Sequence, residues 1–228
     1  MIEKPLQVPP WRILQVKYCE HLFDLEKNHM NPIELKNLFI EHVQSHANST
    51  CIYTDGSKTD NGVGYAYVWN DQCVAKRVQT FASNYSAELL AIFDSLTDVE
   101  KYSDDYIRVI TDLCSCIQGI NRYNNVNPIA RMIQRLIAAC GRQVMLCWVL
   151  SHVGVAMNEK ADQAAQSITN GNIQPVLLLR SDLSAVSKGL LICHGAMSGK
   201  TQIIINCEKL NSQLSHWWDP VIESGTLS

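Results

Sequence analysis

Apolar positions recur with two different periods along this chain, and the switches between them divide it into elements. Asn31-Pro32-Ile33-Glu34 opens a helix, with a capping side chain, proline at the first helical position and an acid at the third. Leu35, Leu38, Phe39 and Val43 follow at helical spacing. From Cys51 the pattern turns to strand chemistry, and Cys51–Gly56 ends in Asp-Gly-Ser, which suits a turn. Asp60-Asn61-Gly62 is a hairpin signal, and Gly62–Trp69 alternates strictly, with Val63, Tyr65, Tyr67 and Trp69 on one side. A third strand is expected at Val74–Phe81, so the three form an antiparallel meander.

Helical spacing returns after Ser83-Asn84, with Leu89, Ile92, Phe93, Leu96 and Val99 as the stripe of a helix to about Lys101 and Glu88 in its first turn. Tyr106–Ile110 reads as a strand that stops at Thr111-Asp112, with Asp112 capping a helix over 113–122. Pro128 starts a further helix to about Cys140, and Gln143–Leu150 is an apolar strand. Asn158 is expected to cap a last helix, with Asp162 in its first turn. The order β-β-β-α-β-α-α-β-α predicts an α/β fold: a five-stranded mixed sheet, antiparallel meander plus parallel strands, flanked by helices.

Residues 1–49 read as a linker arm with Trp11, Ile13 and Leu14 as anchors, followed by the capped helix. Residues 50–170 form the central domain, and residues 171–228 a C-terminal extension. In that extension Ile203, Cys207, Leu210, Leu214 and Trp217 predict an amphipathic helix ending before Pro220. His194–Thr201 has three residues between its glycines where a phosphate-binding P-loop needs four.

Composition narrows the function. The chain has 228 residues, 46% hydrophobic and 18% charged, with a net charge of −3, which argues against a purely backbone-binding nucleic-acid module. No apolar run reaches the roughly 18–20 residues of a membrane span, and the first residues lack the apolar core of a signal peptide. Nine cysteines without a CxxC pair read as reduced, mostly buried thiols, and the location is expected to be intracellular, nucleus or cytoplasm unresolved.

The chemistry lies in four carboxylates. Each has an ordinary explanation alone: Asp55 a turn residue, Glu88 and Asp162 helix-dipole partners, Asp112 a cap. Together, strand ends and helix starts at one side of an α/β sheet converge on one cleft. Four carboxylates there repel unless divalent cations neutralise them, and oxygen ligands favour Mg²⁺ or Mn²⁺.

Thr54-Asp55-Gly56-Ser57, Asn84 four residues before Glu88, Thr111-Asp112, and Ser151-His152-Val153-Gly154-Val155 with Asn158-Glu159-Lys160-Ala161-Asp162 carry a resemblance to type I ribonuclease H. It covers about residues 50–168, and its dialect is similar to that of non-LTR retrotransposon polyproteins. The resemblance implies hydrolysis of the RNA strand of an RNA–DNA hybrid, leaving a 5′-phosphate and a 3′-hydroxyl, with two Mg²⁺ ions for which Mn²⁺ substitutes. By position it makes Asp55, Glu88, Asp112 and Asp162 metal ligands and His152 a mobile proton carrier or product-release aid, not a ligand. Gly56, Ser57, Asn84 and Asn158 become substrate-binding residues, and a reverse transcriptase domain outside this chain becomes a partner. Cys114 stands where bacterial enzymes carry a substrate-contacting glutamine, and the short loop at 123–127 leaves no room for their basic helical handle. Residues 51–170 hold ten basic against twelve acidic side chains, so unaided capture of a hybrid is expected to be weak. The competing readings are a catalytically inactive retrotransposon remnant, acting at most as a nucleic-acid-binding or structural domain, and another nuclease of related fold, such as an integrase. The Ser-His and Asn-Glu-x-x-Asp pairing speaks against the latter.

Overall fold

The structure is a computed structural model that describes residues 16–19, 31–45, 48–122, 127–172 and 182. The predicted amphipathic helix at 203–217, the glycine motif at 194–201 and the anchors Trp11, Ile13 and Leu14 lie outside the described residues.

Three antiparallel strands, β2 (Thr50–Thr59), β3 (Gly62–Trp69) and β4 (Gln72–Val78), form the meander. β5 (Tyr106–Thr111) and β6 (Gln143–Trp148) extend the sheet from β2 as parallel strands, reached through helices as parallel pairing requires. Among the described residues the sheet has six strands rather than five. β1 (Lys17–Tyr18) pairs in parallel with β6, giving the order β1-β6-β5-β2-β3-β4. A two-residue strand carries no periodicity, so nothing in the sequence pattern distinguishes it from an arm. It nonetheless brings Val16 and Cys19 into the core.

The helices are α1 (Pro32–Gln44), α2 (Asn84–Thr97), α3 (Cys114–Asn121), α4 (Pro128–Ala139) and α5 (Ala156–Ser167). The caps at Asn31, Ser83 and Asn127 are made by their side chains, which accept from backbone N–H groups of the first turn. α2 and α5 cover opposite faces of the meander. On one face Tyr65 donates to Asp94 of α2 at 2.5 Å. On the other, Gly64 lets α5 approach so closely that a β-carbon there would lie 2.6 Å from the Ala165 carbonyl oxygen. The core between these layers is apolar and fully buried at Ile52, Leu89, Ile92, Ile107 and Ile110. No disulfide joins any two of the seven described cysteines; Cys19, Cys116 and Cys147 are buried and Cys73 is exposed. Among the described residues no helix is long and apolar enough to cross a membrane.

Candidate active site

β2 is longer than its sequence pattern suggests, so Asp55 lies inside the strand rather than at its end. The relevant boundary belongs to its neighbour. Parallel pairing with β5 stops at Thr54↔Thr111, while β2 runs on beside β3 through Asp55↔Ala66 and Gly56↔Tyr65. Asp55 is therefore the first β2 residue past the parallel pairing, and Asp112 the first residue after β5. By strand alternation Asp55 belongs to the face covered by α5, and Gly56 to the face covered by α2.

Gly56 brings α2 to the same place. A β-carbon at position 56 would lie 2.6 Å from the Glu88 backbone nitrogen and 2.9 Å from the Ala87 carbonyl carbon. Glu88 is the fifth residue of α2, past the first turn, and is only 1% exposed. The Thr111 hydroxyl donates to its carboxylate at 3.3 Å. Asp112 does not cap α3, which starts at Cys114 with Leu113 at the cap position. Instead Thr111 Oγ1 accepts from the Leu113 backbone N–H, and Trp148 donates to the Asp112 carbonyl oxygen.

Asp55, Glu88 and Asp112 thus each offer a carboxylate oxygen, all within 4.8 Å of one another. His152, through a ring nitrogen, and Glu159 and Asp162, through carboxylate oxygens, form a second group within the same distance. Asp162 falls in the second turn of α5 rather than the first, and its charge acts on Asp55 across the gap between the groups. Asn158 does not cap α5. The helix already begins at Ala156, and Asn158 is buried at 3% exposure with its Oδ1 lacking a hydrogen-bond partner among the described residues. Of the other residues singled out for substrate contact, Asn84 is exposed at the first position of α2 and Ser57 is half-buried. Sequence reasoning missed Thr111 as a partner of Glu88, and it passed over Glu159, which carries the same kind of side chain as the four selected.

The electrostatics are those of a site short of positive charge. Burial, followed by the charges of Asp112 and Asp162, pushes the Asp55 carboxyl up to about 8. Burial and then Asp55 and Asp112 push Glu88 well above the usual carboxylate range, against the lowering effect of hydrogen bonds from the Gly56 backbone and Thr111. Asp55 Oδ2 is buried without a hydrogen-bond partner among the described residues. A buried, unpartnered carboxylate oxygen among like charges costs several kcal/mol unless a cation or a proton joins it. An all-oxygen set of this kind fits a hard divalent cation.

Comparison with known proteins agrees with this arrangement. A protein-family model, RNase H, matches residues 47–170, just over half the chain. No curated protein matches the chain. The matched segment contains all three carboxylates of the first group and the whole of the second, and it spans the strands and helices that bring them together. This chain belongs to the ribonuclease H family.

Proposed function

We propose that this chain is a type I ribonuclease H of retroelement origin, a metal-dependent endoribonuclease that hydrolyses the RNA strand of RNA–DNA hybrids. The observation that carries the metal-dependent reading is the Asp55–Glu88–Asp112 group, with its shared 4.8 Å neighbourhood and unpartnered Asp55 oxygen. Asp55 would hold both ions of a Mg²⁺ pair, with Mn²⁺ as a replacement. Asp162 would complete the water-side site, and Glu88 and Asp112 the leaving-group site. When bound, such ions supply the positive charge that lowers the pKa of an attacking water and stabilises the departing oxygen.

The protein's own groups do the rest. Thr111 and the Gly56 backbone fix the Glu88 carboxylate in its pocket. Asn84, exposed at the start of α2, and Ser57, half-buried in β2, would contact the hybrid, and the 2′-hydroxyl is the feature by which RNA is told from DNA. His152, 70% exposed in its side chain and 3.9 Å from Asp162, would serve there as a mobile proton carrier or as a product-release aid. The retroelement reading rests on the motif dialect, and it makes a reverse transcriptase domain the natural partner that supplies affinity for the hybrid.

The test is a labelled RNA–DNA hybrid with duplex RNA and duplex DNA as controls. Cleavage confined to the RNA strand of the hybrid supports the reading. No cleavage in Mg²⁺ or Mn²⁺ by a folded sample favours the inactive remnant.

A further inference from the structure

His152 and Gly154 both adopt left-handed backbone conformations, with φ of 56° and 78°. A non-glycine residue in that region costs roughly 1–2 kcal/mol, so a turn that places one there needs an outside hold. That hold comes from α5. Glu159 Oε1 accepts from the Gly154 backbone N–H at 3.2 Å, and its other oxygen lies 3.8 Å from His152 Nδ1. One carboxylate therefore spans both left-handed residues. A β-carbon at Gly154 would lie 3.0 Å from Lys36 Nζ of α1.

We propose that Glu159 is a positioning residue for the ribonuclease H reaction, fixing the 152–154 turn so that the His152 imidazole stays beside Asp162. The proposal rests on the reading of His152 as a residue of the hybrid nuclease site. Asp162 Oδ2 lies 3.9 Å from the same Nδ1, so the imidazole is approached by two carboxylates three residues apart on α5. The side chain is 70% exposed, and without Glu159 neither its backbone nor its ring has a second anchor among the interactions described. The plainer role for Glu159 is an acid near a helix N-terminus, which stabilises α5 without touching catalysis.

A double-mutant cycle separates these roles. Hybrid cleavage is measured in the full chain for the unaltered protein, E159A, H152A and the double variant, with kcat and KM determined separately and thermal melting as the fold control. A positioning role predicts that E159A lowers kcat about five- to tenfold with KM unchanged, and by less than about twofold when His152 is already alanine. An equal loss in both backgrounds, or no loss in either, overturns the proposal while leaving the hybrid nuclease intact. Absence of cleavage by the folded, unaltered chain overturns both. Should E159A fail to fold, E159Q is read in the same cycle: it keeps an acceptor for Gly154 but loses the charge facing His152. It predicts a kcat loss of about threefold that vanishes in the H152A background.

Discussion

Gly56 and Glu88 are packed backbone against backbone, and this contact sets the distance between the two most buried acids of the site. A β-carbon at 56 would meet the Glu88 nitrogen at 2.6 Å, and the obstruction is backbone that cannot swing aside. Gly56→Ala must push β2 away from α2. The expected cost is about 1–3 kcal/mol of stability, read by denaturant unfolding, together with a fall in kcat as Asp55 and Glu88 separate.

Metal-free stability should fall as pH rises. Asp55 has a folded-state pKa of about 8 against an ordinary value of 3.8, so between those values the native state binds the extra proton. That contribution is fully present below about pH 4 and is lost as pH passes through 8. Glu88 acts in the same direction because it too is raised. Unfolding in the presence of a chelator at pH 5.5 and pH 8 checks this: the protein should be less stable at pH 8. Asp55→Asn should flatten the dependence.

Divalent cations should reverse that loss. If the native carboxylates hold Mg²⁺ as proposed and the unfolded chain does not, Mg²⁺ should raise the melting temperature at pH 8 more than at pH 5.5. Glu88→Gln keeps the shape of the side chain, and with it a place for the Thr111 and Gly56 hydrogen bonds. It should melt higher than the unaltered protein without metal and respond less to Mg²⁺, as thermal scans would show.

A different network supports the sheet without serving the site. The Asp94 carboxylate accepts from Tyr65 at 2.5 Å and from Lys76 at 2.6 Å, and Tyr65 is 1% exposed. Asp94→Ala leaves a buried tyrosine hydroxyl unpaired and should cost about 1–3 kcal/mol in urea unfolding. The Mg²⁺ dependence proposed for cleavage should not change.

The fold was legible where local chemistry decides. Asn31 and Ser83 cap their helices with the bonds that their residue types predict, and Asn127, read only as loop, caps its helix as well. The alternation of Gly62–Trp69 gives β3 to the residue. Asn158 misled because capping propensity competes with tertiary position: the chain enters α5 two residues earlier and buries the asparagine instead. Asp112 misled in the same way, since helix α3 starts two residues later and leaves the acid to the cluster. The convergence of Asp55, Glu88 and Asp112 could be inferred only through strand order, because residues 33 and 24 apart meet by topology and not by spacing. β1 was beyond reach, as two residues on a sheet edge leave no periodic trace.

The measurement that tests the account most directly is the rate of RNA-strand cleavage in a hybrid as Mg²⁺ is titrated, for the unaltered chain and for Asp112→Asn. The acid cluster predicts cleavage that rises from zero with Mg²⁺ and falls by at least about a hundredfold in the variant, while both proteins melt cooperatively. Cleavage that persists in chelator, or that survives the loss of the Asp112 charge unchanged, would contradict the assignment of this site.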